Sequence, residues 1–420
     1  MSAFDKIIGY KSIKRELITL ADMMRNGSKY TKLGVKLPRG ILLCGEPGVG
    51  KTLMAKCLLE ESGRNVFILR KDKPNGDFVK AIQETFREAK EHQPSIVLLD
   101  DLDKYSNESR PRSDAEEYVL VQTCMDDTGE DDVFVVATVN RLSKLPDSLL
   151  REGRLGWTVG VQPPRGKDAV EIVRHYLGQK AYVGEINVED VAKILNGDSC
   201  ATLEEVINEA GIYAASQDKE MIDADDLLRG ILRAKFGAPE RMDDISLRAQ
   251  TAVAYHEAGH TVVAEMLERG NVTMTSIATH DGAASGLTTF YQDDDYWTEF
   301  SYMEHRVLAL LGGRAATEIV YARPDVGATS DIKRVFDVVE RFVDYDGVAP
   351  FDCHEREEGS SDALNRKDKR IAEELEKYYK QAKQILVENR PFLDAVAKEL
   401  VAKKTLLASD IKRIEEELGM

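Results

Sequence analysis

At 420 residues the chain is too long for one ordinary hydrophobic core, and two to three domains are expected. With 43% hydrophobic and 31% charged residues it is globular, and a net charge of −17 argues against a general nucleic-acid binder. No run nears the roughly 18 apolar residues of a spanning helix, no apolar leader opens the chain, and Cys44, Cys57, Cys124, Cys200 and Cys353 form no CxxC pair, which together predict a soluble cytoplasmic protein without disulfides.

From residue 38 to 162, short β-branched runs alternate with helical patterns. Strands are predicted at 40–44, 66–69, 95–100, 133–138 and 157–161, with helices between them such as 78–92 and 115–125. Such alternation predicts a parallel sheet with helices on both faces. From about 166 to 236 the strand signal vanishes and amphipathic helices remain, including 202–215 and 224–232. The turn-rich, charged stretch 237–244 (GAPERMDD) reads as a linker. Beyond it come a helix over 246–268, short strands near 272–278 and 286–291, and then mainly helices, with an acidic loop at 355–362.

The first predicted strand runs into Gly45-Glu46-Pro47-Gly48-Val49-Gly50-Lys51-Thr52, the pattern GxxxxGK[ST], and a helix follows. Glycines let successive backbone N–H groups curl round phosphate oxygens at the positive end of that helix. Lys51 is expected to reach the β- and γ-phosphates and the Thr52 hydroxyl to ligate Mg²⁺. Gly45, Pro47, Gly48, Val49, Gly50, Lys51, Thr52 and Leu53 are thus the candidate ATP cradle. About fifty residues on, the apolar strand Ile96-Val97-Leu98-Leu99 ends in Asp100 and Asp101. Carboxylates at a strand's C-terminal end lie where open α/β sheets bind ligands. Asp100 is expected to hold Mg²⁺ through water, and Asp101 to polarise the attacking water. The next strand ends at Asn140, suited to orienting that water; Arg151 and Arg154 at i, i+3 are candidates to meet a γ-phosphate bound by a neighbouring subunit.

A second constellation, His256-Glu257-Ala258-Gly259-His260, is HExxH within an apolar helical pattern. Spacing i, i+4 puts both imidazoles on one helix face, aimed at one Zn²⁺, with Glu257 beside the bound water as general base. Zinc lowers the pKa of that water towards about 7. By composition alone, each of the two motifs arises by accident in on the order of one or two such chains per hundred. A catalytic zinc needs a third protein ligand. His280 and His305 stand in no second motif, and the downstream acids Glu318 and Asp331 are not separated by spacing.

These residues resemble the FtsH-type AAA metalloproteases over nearly the whole chain. The resemblance runs from Phe4-Asp5-Lys6-Ile7-Ile8-Gly9 through the phosphate loop to Asn140, Arg151 and Arg154. It continues at 199–210, at TAVAYHEAGH, at Gly286-Leu287-Thr288-Thr289-Phe290, at Gly312-Gly313-Arg314-Ala315-Ala316-Thr317-Glu318-Ile319 and at Gly327-Ala328-Thr329-Ser330-Asp331-Ile332. It implies an α/β AAA core over 1–165, a helical lid over 166–236, a linker over 237–244 and a mainly α-helical zinc metallopeptidase domain over 245–420. It also implies a homohexamer that draws protein chains through a pore and hydrolyses them. Asp331 becomes the third metal ligand, Glu318 a support that orients a ligand histidine, and the backbone at Ile8 and Gly9 the adenine contact.

Four departures from the family pattern stand out. The family's usual leading membrane helices do not precede the ATPase part, so membrane insertion is not expected. Asp101 replaces the usual Glu. The aromatic pore loop falls near Lys73-Pro74-Asn75-Gly76, where no aromatic stands and Phe78 is the nearest substitute. Leu155-Gly156-Trp157 replaces a further Asp and Arg. The leading expectation is ATP-dependent proteolysis; a non-proteolytic remodeller or scaffold with slow ATP hydrolysis is the alternative suggested by Asp101 and the altered loop, and an ATP-independent peptidase the third.

Overall fold

The computed structural model describes residues 2–72, 74–106, 115–182, 186–236, 246–278, 286–291, 300–323, 326–344 and 361–420. The expected linker at 237–244, His280, Cys353, Lys73 and most of the loop at 355–362 lie outside the described residues.

In chain order the elements are α1 (Lys11–Arg25), α2 (Gly27–Thr31), β1 (Gly40–Cys44), α3 (Lys51–Ser62), β2 (Asn65–Arg70), α4 (Asn75–Glu91), β3 (Ser95–Asp100) and α5 (Glu116–Asp127). Then come β4 (Val133–Val139), β5 (Trp157–Gly160), α6 (Gly166–Leu177), α7 (Val188–Ile194), α8 (Cys200–Ser216) and α9 (Ala224–Phe236). The remainder is α10 (Leu247–Leu267), β6 (Val272–Ser276), β7 (Leu287–Phe290), α11 (Phe300–Tyr321), α12 (Thr329–Asp344), α13 (Ser361–Glu388), α14 (Arg390–Lys403), β8 (Thr405–Leu407) and α15 (Ala408–Glu417). The chain forms two compact units, Met1–Gly184 with Gly197–Leu227, and Glu185–Asn196 with Leu228–Met420.

The first unit is built on a parallel sheet of order β2-β3-β4-β1-β5. Its central strands β3 and β4 are buried at every position, as continuous Val/Ile/Leu runs demand when helices cover both faces. Phe78 and Ile82 from α4 and Tyr118 and Val121 from α5 pack on Val97, Leu99 and Val135 to form the core. The register pairs Cys44 with Val139 and Leu99 with Ala137, so the residues that follow β1, β3 and β4 emerge at one edge of the sheet. That edge carries the phosphate loop, the two Asp residues and Asn140.

The second unit wraps α10, which is buried almost all round from Ala254 to Glu265, in α11, α13 and α14. Small residues allow the close approach. A Cβ on Gly259 would run into the Gly312 carbonyl and lie 2.6 Å from Ala316 Cβ, so the backbones of α10 and α11 meet with nothing between them. Ser246 caps α10 at Ala249 N–H, and the buried Glu265 carboxylate accepts from Gly270 N (2.6 Å) and Val272 N (2.8 Å), tying the helix end to β6. The antiparallel sheet β7-β6-β8 includes one strand that periodicity does not predict. β8 is three residues long between two helices, too short to show a period. No helix among the described residues is long and apolar enough to cross a membrane.

Candidate active sites

The strand ends of the first unit frame a pocket of about 520 Å³, lined among others by Ile8, Tyr10, Pro47, Gly48, Val49, Gly50, Lys51, Thr52, Leu53, Asp101 and Asn140. Gly48 (φ 81°) and Gly50 (φ 96°) take left-handed backbone, which glycine adopts without strain and which turns the loop into the start of α3. A Cβ on Gly45 would strike the Val161 carbonyl oxygen, so only glycine passes there. Lys51 is buried, and its ammonium donates to the Gly45 (2.8 Å) and Glu46 (2.7 Å) carbonyls and to Asn140 Oδ1 (2.8 Å). Burial lowers its pKa, against the pull of Asp101 and Asp103. The Thr52 hydroxyl donates to Asp100 Oδ1 (3.2 Å), as does Thr138 (2.8 Å), while Arg70 pairs with Asp100 Oδ2 at 2.8 Å. Asp101 receives Asn140 Nδ2 (3.3 Å) on one oxygen and Lys104 Nζ (2.7 Å) on the other. A hydroxyl beside a strand-end carboxylate, below an anion-ready loop, fits a phosphate-bound Mg²⁺. At the far end of the pocket Gly9 (φ 68°) and Tyr10 (φ 51°) make a tight turn, fastened by Tyr10 N–H to Asp168 (3.0 Å) and Tyr10 OH to the Gln162 carbonyl (2.9 Å). Ile8 faces the pocket there.

In the second unit His256 and His260 of α10 meet Asp331 of α12. The two imidazole Nε2 atoms are 3.1 Å apart, and the Asp331 Oδ2 atom lies 3.2 Å from His256 Nε2 and 3.4 Å from His260 Nε2. Three ligands at about 2.0–2.1 Å from a tetrahedral zinc form a triangle with edges near 3.4 Å, so this donor triangle has the size and composition of three zinc ligands with one position left open. His260 Nδ1 bonds the Ala309 carbonyl at 2.8 Å, which places the proton on Nδ1 and leaves the Nε2 lone pair for a metal. Burial opposes ionisation of Asp331, yet the two imidazoles set against it hold its carboxyl well below the usual range. Gly313 makes room for the rings: a Cβ there would lie 2.5 Å from His260 Nε2 and 2.7 Å from His256 Cε1. Glu257 is buried beside them, and burial pushes its carboxyl upward against the imidazoles and the Thr288 hydroxyl, which donates to Oε2 at 2.7 Å.

With both constellations on the page, comparison with known proteins is direct. Residues 41–163 match the ATPase family associated with various cellular activities (AAA), and residues 243–414 match peptidase family M41. Across 98% of this chain and 72% of the relative, the sequence is 30% identical to an "ATP-dependent zinc metalloprotease FtsH 3" of Synechocystis sp.. It is 28% identical to the Bacillus subtilis "ATP-dependent zinc metalloprotease FtsH", covering 98% of this chain and 69% of the relative. A Thermoanaerobacter "ATP-dependent zinc metalloprotease FtsH 2" is 28% identical over 99% of this chain and 83% of its own length. The chain belongs to the FtsH family. It is an ATP-dependent metallopeptidase with ATPase activity, and Zn²⁺, ATP and Mg²⁺ are its cofactors.

Within this FtsH-family chain several expected placements change. Among the described residues Glu318 touches no histidine: its carboxylate takes Tyr379 OH and Lys383 Nζ (2.7 Å) from α13, so it braces α11 against α13. The histidine is oriented by a backbone carbonyl instead, which no side-chain motif announces. Phe78 is no substitute pore aromatic either. It sits in the first turn of α4, fully buried, edge-on to Tyr105 at 4.7 Å between centroids. Arg154 is held within its own chain by a two-pronged bond to Asp126 (3.0 and 2.7 Å) and by the Ser148 carbonyl (2.6 Å), whereas Arg151 is exposed. Leu155 is buried, and the Trp157 indole donates to Glu16 Oε1 at 2.6 Å, so the segment that departs from the family pattern packs inward. Sequence reasoning did not single out Thr288, Gly313, Arg70 or Lys104 for a role. The first two stood inside recognised segments, and the last two stand in no motif.

Proposed function

We propose that the chain hydrolyses ATP at the strand edge of its first unit to feed loosely folded protein chains to a zinc site in its second. The observation that carries the proteolytic half is the His256–His260–Asp331 triangle with Glu257 at its side. These three residues hold Zn²⁺, which when bound polarises the peptide carbonyl and acidifies water. Glu257 takes the proton from the attacking water and returns it to the departing amine. Thr288 holds Glu257 Oε2, so Oε1 is the oxygen that works. Ala309 keeps the His260 ring in its tautomer.

In the ATPase half, Lys51 exchanges the Gly45 and Glu46 carbonyls for the β- and γ-phosphates. Thr52 and Asp100 attend Mg²⁺; Asn140 and Asp101 orient the hydrolytic water; and Ile8 and Gly9 border the adenine. Arg151, exposed, is the better placed of the two arginines to reach a neighbour's nucleotide, because Arg154 is occupied by Asp126. The working form is a homohexameric ring in the cytoplasm, and the division at 1–165, 166–236 and 245–420 is its division of labour. Preference for loosely folded substrates is supported by the burial of Phe78, the one aromatic between Arg70 and Phe78. Glu257→Gln tests the assignment: casein cleavage should vanish while ATP turnover stays, and cleavage at the parent rate rejects it. A tightly folded domain degraded as fast as casein would reject the substrate preference.

A further inference from the structure

Four side chains form a continuous row along the phosphate end of the nucleotide pocket. Lys51 Nζ donates to Asn140 Oδ1 (2.8 Å), Asn140 Nδ2 to Asp101 Oδ1 (3.3 Å), and Lys104 Nζ to Asp101 Oδ2 (2.7 Å). Asp101 is tightly placed. It holds a left-handed φ of 54°, unusual for a residue with a side chain, and its N–H donates to the Thr138 hydroxyl at 2.8 Å. Lys104, by contrast, closes a short 3-10 turn just beyond it, with a side chain 63% exposed that lines the same pocket. The row thus puts an ammonium group at each end: Lys51 at the phosphate loop, and Lys104 on the far side of the water-polarising acid.

We infer that Lys104 is a γ-phosphate contact, which leaves Asp101 for the third phosphate of ATP and in doing so frees that carboxylate to polarise water. The reasoning is electrostatic. With both of its oxygens already accepting hydrogen bonds, one from a cation, Asp101 is a poor acceptor for the proton of an attacking water. A terminal phosphate beside Lys51 carries more negative charge than one carboxylate and offers three acceptor oxygens. A compact ammonium on a flexible four-carbon stem follows the larger charge. The hydrogen bond to Asp101 raises the Lys104 pKa, so the cation is retained until the exchange. ADP lacks the third phosphate, and Lys104 then stays on Asp101. The short Asp101 side chain suits this arrangement, because a lysine three residues on reaches it directly.

The inference deepens the nucleotide reading of the pocket and rests on it, so the test separates the two. Binding of a slowly hydrolysed ATP analogue and of ADP, each with Mg²⁺, is measured by calorimetry on the full chain and on Lys104→Met and Lys104→Arg. Lys104→Met should weaken the analogue by about 10-fold, the loss of one charge-assisted hydrogen bond, and leave ADP within about twofold. Unchanged ADP binding also certifies that the variant is folded. Lys104→Arg keeps the charge and should retain most of the preference for the analogue. If Lys104→Met weakens the analogue no more than ADP, or if both variants lose the preference alike, the inference is overturned. A parent chain that binds neither nucleotide overturns the reading of the pocket itself.

Discussion

The two catalytic regions are prepared in opposite ways. At the metal site the donors already converge: two imidazoles and a carboxylate lie within 3.4 Å of one another, walled in by Gly313 and steadied by Ala309 and Thr288. At the nucleotide site the working groups are bonded to one another. Lys51 is on loop carbonyls, Arg70 on Asp100 and Lys104 on Asp101. A buried helix pair can hold ligands still because close-packed interiors resist small displacements. A strand edge facing solvent lets the exposed Arg70 and Lys104 side chains change partners at little cost, since ion pairs open to water are weak. The first design suits a metal that stays, the second a nucleotide that comes and goes.

The sharpest way to break this contrast is Gly313→Ala. Its methyl would displace the imidazoles, and peptide cleavage should fall by about 100-fold or more with loss of zinc by metal analysis, while ATPase is kept. Full zinc occupancy in that variant would show that the site is not preformed. Next in size, Gly259→Ala forces α10 from α11 and should destabilise the second unit by about 3 kcal/mol, read as an earlier thermal transition of that unit. Thr288→Val keeps the shape but removes the donor to Glu257 Oε2; kcat for casein should drop about 10- to 100-fold, with KM and zinc content nearly constant. The smallest effect belongs to the pair between exposed Arg70 and buried Asp100: Arg70→Ala removes the competitor for that carboxylate, and the Mg²⁺ concentration needed for half-maximal ATPase should fall about 2- to 5-fold. A rise instead would place Arg70 among the groups that help to bind the nucleotide.

Much of the fold is legible in local pattern. The runs that became β1, β3 and β4 are continuous and apolar, and they are buried on both faces as such runs must be. The helix bearing HExxH is likewise announced by its apolar surroundings. β8 is not, because its three residues owe their strand to pairing with β6. Long-range choices were equally hidden. Glu318 and Asp331 are both acids of C-terminal helices, and nothing in their spacing says that α12 turns Asp331 to the histidines while α11 gives Glu318 to Tyr379 and Lys383.

From its sequence alone the chain declares what each chemistry requires at short range. Phosphate needs a loop with spaced glycines before a helix, and zinc needs imidazoles one turn apart; both are contained in stretches of eight residues or fewer. Only the tertiary structure decides which distant groups complete those stretches, because a third ligand, a ring-orienting carbonyl or a partner for Asp101 is selected by where helices and strand ends come together. That is also why Phe78, an acceptable pore aromatic by position, is a core residue: the side-chain period of α4 aims it at Tyr105, and burying a ring there outweighs leaving it in water.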